Sequence, residues 1–320
     1  MMNHGRGVIV ITTVYSKTGI FIACTTEAGI ESRIGLFEFN GSKENNIVFA
    51  SRDFGDFHFT LRDNITVFKD HNPNAAPDAV YKAFVDARKQ KPDWSLLAFK
   101  SADGIHWFPM TGATPVLTMA EGSFDSQNTA FWDSLKGEYR AYWRFFDKDS
   151  IRSIRTGTSK DFIHWKVQSD LQYTDTIIQQ LYTNGIVPYY RAPQIFIGFP
   201  ARYFDRKWSK SMEELPQLKE RNGRSITNPR YGTALTESIF FASHDAVKFK
   251  RWNEAFLRPG IERNGTWNYG QQFIAWSFLE TKSDLEGAPD EISLFANENL
   301  WIGNGSKLRR YTLRLDGFVS

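Results

Sequence analysis

Three carboxylates stand where acid–base chemistry can be built. They are Asp63 in Arg62-Asp63-Asn64, Asp125 in Phe124-Asp-Ser-Gln-Asn128, and Glu237 ahead of Ser-Ile-Phe-Phe-Ala242. Each comes just before an apolar run. Asn64, Gln127, Asn128, Arg191, Gln194 and Gln272 occupy similar positions. Converging amides, carboxylates and arginines suit a polyhydroxylated ligand, because every sugar hydroxyl both donates and accepts. Breaking a glycosidic bond also needs a base or nucleophile carboxylate and a carboxylic acid facing the scissile oxygen. Asp63 and Asp125 are the candidates for the first role and Glu237 for the acid, with Glu121 and Glu262 as rivals. Structural duties compete with these: Asp63 can cap a turn beside Arg62, and Glu237 can serve a turn or an ion pair. Arg191 can hold an anionic substituent of the substrate bidentately or brace Asp63 or Asp125.

The elements that must position these residues are visible as repeats. Ser101-Ala-Asp103-Gly-Ile-His-Trp107, Ser159-Lys-Asp161-Phe-Ile-His-Trp165 and Ser243-His-Asp245-Ala-Val-Lys-Phe249 share one pattern, with a fainter echo at Ser42-Lys-Glu44. Each follows a strand-like run. Ser and Asp side chains accept from backbone N–H groups in a turn, so the pattern predicts a hairpin corner whose aromatic anchors the returning strand. His106 and His164 share one slot of this repeat, which predicts a structural role and no metal site. A second repeat places an amide before an apolar run, at Asn64, at Gln127-Asn128, at Gln194 and at Gln271-Gln272.

Amide-led strand, two further strands, corner and fourth strand make a four-stranded antiparallel blade. The chain holds five such units, at about 7–52, 57–112, 124–168, 187–253 and 273–320. The expectation is an all-β fold, a single five-bladed β-propeller over residues 1–320. A long polar insertion, Asp205 to Tyr231, interrupts the fourth blade, with one short surface helix expected over 211–221. In a propeller the innermost strands line the central channel, so the amide-led openings would crowd one mouth.

Composition narrows the classes. Aromatics make up 15% of the chain, suiting pleated, half-buried surfaces and, in part, sugar faces. The net charge of +3 comes without a basic block, which argues against nucleic acid as partner. A single cysteine, Cys24, excludes an internal disulfide framework and a multi-cysteine metal site, and no cofactor motif is present. No window reaches the ~18 apolar residues of a membrane span. The first residues show no secretory signal pattern, so the compartment is left open. Oligomeric state is not legible.

The corners, together with Tyr81-Lys-Ala-Phe84, Phe124–Trp132, Arg191–Gln194 and Arg309-Arg-Tyr-Thr-Leu-Arg-Leu-Asp-Gly-Phe318, resemble the five-bladed glycosidase superfamily of the family 43 and family 32 type. They are most similar to bacterial proteins labelled family-32-like. That resemblance implies an inverting glycoside hydrolase acting on an oligo- or polysaccharide in the central funnel. It implies three carboxylates, and Asp125 matches by blade position the Asp that tunes the acid. The invertase-type Asn-Asp-Pro and Glu-Cys motifs are absent, which counts against fructosidase activity. Similar proteins continue into a β-sandwich after Leu-Asp-Gly-Phe318, so a fragment or short form is expected. Two other readings compete. One is a sialidase-like enzyme, whose corners carry Gly and one more residue before the Trp. The other is a non-catalytic carbohydrate-binding or scaffold propeller, which would lack two carboxylates within reach of each other.

Overall fold

The computed structural model describes residues 10–16, 19–25, 35–36, 38, 41–45, 47–50, 53–54, 57–58, 65–88, 94–119, 123–260, 272–298 and 307–319. Strands dominate them, and α-helix is confined to Lys210–Glu213 and Leu218–Ser225. Five sheets follow one another along the chain.

The first sheet pairs Val10–Ser16 with Gly19–Thr25 and the latter with Ile47–Ala50, all antiparallel. β-Branched runs on either side of a two-residue break favour this hairpin. Gly35 and Leu36 lie outside any strand, where Gly35 has φ +66° and its N–H donates to the Asn45 carbonyl. The second sheet runs Thr66–Lys69, Tyr81–Arg88, Trp94–Ser101, with Phe108–Pro109 and Leu117–Met119 both on its outer side. The third is the predicted blade in sequence order: Thr129–Asp133, Glu138–Phe146, Arg152–Ser159 and Trp165–Asp170.

The fourth sheet departs from expectation. Residues 192–198, where the amide repeat at Gln194 predicts an innermost strand, instead lie between Val187–Tyr189 and Leu235–Ser243. Ala192–Gly198 and Ala201–Phe204 lie in tandem along Leu235–Ser243, and Val187–Tyr189 and Gln180–Leu181 pair on their far side. Tyr190 and Arg191 are therefore the hairpin turn that ends Val187–Tyr189, not the opening of a strand. The fifth sheet holds Leu279–Thr281, Glu291–Glu298 and Lys307–Arg314, prolonged by a bridge between Ile274 and Ala296. Residues 315–318 form a turn, with Asp316 at φ +59°.

All three Ser-x-Asp corners form as expected. Ser159 Oγ accepts from Phe162 N (2.9 Å), while Asp161 Oδ1 accepts from Ile163 N (2.9 Å) and His164 N (2.8 Å). The indole of Trp165 donates to the Phe162 carbonyl at 3.0 Å. Ser101 and Asp103 repeat this on Gly104, Ile105 and His106, and Ser243 and Asp245 repeat it on Ala246, Val247 and Lys248. The fourth corner position is left-handed each time, at Gly104 (φ +77°), Phe162 (φ +68°) and Ala246 (φ +66°). Only glycine adopts this backbone without cost. Phe162 offsets the strain by burial: its ring stacks on Phe84 at 4.7 Å and meets Tyr139 and Trp165 edge-on.

The chain divides into two compact units, one of residues 1–141 and 157–167, the other of 142–156 and 168–320. The core of the first is built from Val48, Val67, Ala83, Val85, Leu97 and Phe99. It also buries a polar network after the strand Thr66–Lys69. There Asp70 accepts from Lys82 and from the Tyr139 hydroxyl (2.7 Å), and Asn72 donates to that hydroxyl at 3.0 Å. Burial, then the bond to Asp70, pushes the Tyr139 phenol up, so it remains a donor. The core of the second unit joins Ile197, Phe199 and Phe240 of the fourth sheet to Ile292, Leu294 and Phe278 of the fifth.

The insertion carries two short helices in place of the single one expected. Ser209 Oγ accepts from Met212 N (3.3 Å) to cap the first. Pro216 and a left-handed Gln217 (φ +60°) separate it from the second. Buried Arg221 ties that break down by donating to the Pro216 (3.0 Å) and Leu215 (2.7 Å) carbonyls.

Candidate functional site

Asp125 sits in a turn clamped from within. The Ser126 N–H donates to the Phe124 carbonyl (2.7 Å), and the Asn128 amide donates to the carbonyls of Phe124 (3.0 Å) and Ser126 (2.9 Å). Phe124 is left-handed at φ +62° and wholly buried. Ser123, Ser126, Gln127, Asn128 and Thr129 are buried with it, and Asp125 alone of this stretch is only half-buried. The turn leads directly into Thr129–Asp133, the first strand of the third sheet. The sequence thus folds here into a rigid pedestal that presents one carboxylate. Asn128 is spent on holding that pedestal, and its Oδ1 is buried without a hydrogen-bond partner.

Asp63 and Asn64 lie outside the described residues, as do the rival acids Glu121 and Glu262. Glu237 is buried near the start of Leu235–Ser243. It faces Arg202 across the ladder, and that guanidinium donates to Oε1 while Arg258 Nε donates to Oε2 at 3.1 Å. Both oxygens are thereby engaged by cations, the arrangement of an acceptor. Arg202 also donates to the Asn253 carbonyl (2.9 Å), so the pair is anchored to the neighbouring strand.

Arg191, in the 190–191 hairpin turn, is exposed and pairs with Asp316 at 3.1 Å. The Asp316 carboxylate holds the Arg191 guanidinium more firmly protonated than usual. It also accepts from the Tyr189 hydroxyl, which burial, then this bond, pushes up to about 12. Gln194 is exposed on the adjoining strand. Gln272 is buried beside Tyr311, its Nε2 donating to that hydroxyl at 3.5 Å and its Oε1 without a hydrogen-bond partner. Within the first unit the structure brings Asp125, Gln127 and Asn128 together. Within the second, Arg191 and Gln194 share one hairpin, while Glu237 belongs to a different cluster. Among the described residues no group of His, Cys, Asp and Glu could hold a metal ion.

No protein-family model matches the sequence, and no curated protein matches it. Solved structures do. An endo-arabinase from Bacteroides thetaiotaomicron is 8% identical with a TM-score of 0.53, covering 96% of this chain and 93% of its own. An α-L-arabinanase from Penicillium chrysogenum, complexed with arabinobiose, is 9% identical with a TM-score of 0.50, covering 94% and 77%. An N-acetylgalactosamine deacetylase from F. plautii, complexed with blood group B trisaccharide, is 12% identical with a TM-score of 0.51, covering 78% and 71%. What these share with the chain is a fold. The chain is a β-propeller. Five sheets among the described residues agree in number with the five expected blades. Among the described residues no helix is long and apolar enough to cross a membrane.

Sequence reasoning missed a second polar centre, around Arg152, Tyr182, Tyr203 and Arg230. Arg152 stacks over the Tyr203 ring at 4.5 Å and over Tyr182 at 5.3 Å, and Arg230 over Tyr203 at 5.7 Å. Of the four only Arg230 lies in the polar insertion, and nothing in the local sequence links it to the others.

Proposed function

We propose that the protein is a glycoside hydrolase acting on an oligo- or polysaccharide. The observation that carries this reading is the Asp125 pedestal: a half-exposed carboxylate on a buried, internally bonded turn at the head of a sheet's first strand. A buried turn of that cost is unnecessary for a surface aspartate, and preorganisation of one carboxylate is what acid–base catalysis requires. The likeness of the fold to two arabinan-degrading enzymes over more than nine-tenths of this chain supports the substrate class.

In this reading Asp125 and Asp63 provide the carboxylates that activate water and tune the acid. Glu237 can act as the acid only when one of its arginines lets go. Arg258, with its side chain 63% exposed, is the one that can, while Arg202 is buried. An inverting route needs base and acid ~6.5–9.5 Å apart to admit the water. The test is a screen of aryl glycosides and plant and marine oligosaccharides, with Asp125→Asn as control. Turnover that falls by orders of magnitude in Asp125→Asn supports the assignment, and turnover that is unchanged removes Asp125 from the chemistry.

A non-catalytic carbohydrate-binding propeller is the second reading, favoured by one observation: the double engagement of Glu237 leaves it no oxygen for a glycosidic bond. Sugar binding without hydrolysis across the whole panel would select it.

A further inference from the structure

A buried arginine normally has a carboxylate. Arg152 has none. It opens the strand Arg152–Ser159 and is only 4% exposed, yet no carboxylate among the described residues lies within ion-pairing distance. Its one hydrogen bond runs from Nη1 to Gln180 Oε1 at 2.6 Å, and its Nε is buried without a partner. A guanidinium offers five N–H donors in a fixed fork, so most of that capacity is unused. Aromatic rings replace the missing anion: Tyr203 at 4.5 Å, Tyr182 at 5.3 Å and Phe146 at 5.3 Å.

A second cation shares this setting. Arg230, from the end of the insertion, stacks on Tyr203 at 5.7 Å, and its Nε too is buried without a hydrogen-bond partner. It likewise has no ion pair among the described residues. Glu237, the nearest carboxylate by register, serves the other side of the strand. Arg202 pairs with Glu237 and Tyr203 with Thr236, and consecutive residues of a strand face opposite ways. All these residues belong to the second compact unit.

Two like charges held against the same ring repel each other, and burial of an unpaired charge is costly. Rings supply only part of the compensation. Such an arrangement is stable as a receptor awaiting an anion, and a planar guanidinium matches carboxylate and sulfate oxygens bidentately. The rim is open enough for entry, since Phe146 is exposed and Tyr182 and Arg230 are half-buried. We infer that Arg152 and Arg230, with Tyr203 as platform, bind one oxyanion group, the carboxylate of a uronic acid or a sulfate ester on a sugar. That the group is carried on a sugar rests on the functional reading above. The anion site itself does not.

The test measures binding by the full chain with four probes at matched ionic strength: inorganic sulfate, digalacturonate, galactose 6-sulfate and neutral galactobiose. The expected result is tighter binding of at least one acidic sugar than of galactobiose. Arg152→Met and Arg230→Gln should each weaken it about ten- to hundredfold, the span of a charge-assisted bidentate pair. Arg152→Met should also raise Tm in anion-free buffer, because it removes a buried unpaired charge. A purely structural arginine would lower Tm on removal. Should Arg152→Met fail to fold, half-exposed Arg230 decides the matter alone. Equal binding of acidic and neutral probes, or unchanged affinity in Arg230→Gln, overturns the inference. Arginine-dependent binding of acidic probes with no hydrolysis of any glycan would leave the site standing and the hydrolase reading refuted. Hydrolysis of neutral glycans that ignores both variants would do the reverse.

Discussion

Removal of the Asp161 carboxylate should cost stability through two orphaned backbone donors. Its Oδ1 accepts from Ile163 N and His164 N, and it also accepts from the Ser159 hydroxyl at 3.0 Å. Asp161→Ala abolishes all three, together with the contact between its Oδ2 and His164 Nδ1 at 2.6 Å. The corner is part-exposed, so water recovers a share, and the net loss is about 1–3 kcal/mol. Unfolding entropy scales with length at roughly 2 cal/mol/K per residue, so a chain of this size loses about 1.5–5 °C in Tm. Asp161→Asn keeps an oxygen for the two N–H groups and should lose less than half as much.

The pH dependence supplies a second readout. Burial raises the Asp161 pKa, but the His164 ring, the His164 and Ile163 N–H groups and the Ser159 hydroxyl outweigh it, so the net direction is down. A carboxylate depressed in the folded state contributes stability that is present above its unfolded value near 4. That contribution disappears as pH falls below about 4 towards the folded value. The gap between wild type and Asp161→Ala should therefore be full at pH 7 and shrink below about pH 4, as read by calorimetry or urea unfolding. A Tm unchanged in Asp161→Ala, or an Asp161→Asn variant as unstable as Asp161→Ala, would refute the reasoning.

Three further outcomes are expected. Glu237→Gln should cost about 3–5 kcal/mol in urea unfolding, because it leaves buried Arg202 uncompensated, whereas Arg258→Ala should cost about 0–1 kcal/mol. Gly198→Ala should destabilise by about 1–3 kcal/mol, since an added Cβ would stand 2.5 Å from the Phe241 ring and 2.8 Å from the Asn184 carbonyl. Asp125→Asn should leave Tm within about 1 °C of wild type, the swap being nearly isosteric, while glycan turnover falls by orders of magnitude.

The Ser-x-Asp corners were legible from sequence because every bond in them spans five residues or fewer. Ser159, Asp161 and Trp165 carry their partners with them, whatever the rest of the chain does. The strands of the third sheet were legible for a related reason: short turns join them in order, so each pairs with its neighbour in sequence. The fourth sheet was not. Val187-Pro188-Tyr189 is too short to show a period and carries a proline, while Gln194 imitated the amide-led opening seen at Asn128. Only pairing with Leu235–Ser243 decides that residues 192–204 form the next strand, which turns Arg191 into a hairpin residue paired with Asp316. The ion pairs of Glu237 and the stacking of Arg152 on Tyr203 join residues tens of positions apart. A lone arginine leaves no local trace of whether a carboxylate will meet it. That depends on which strand lies alongside, and so it is settled by tertiary structure alone.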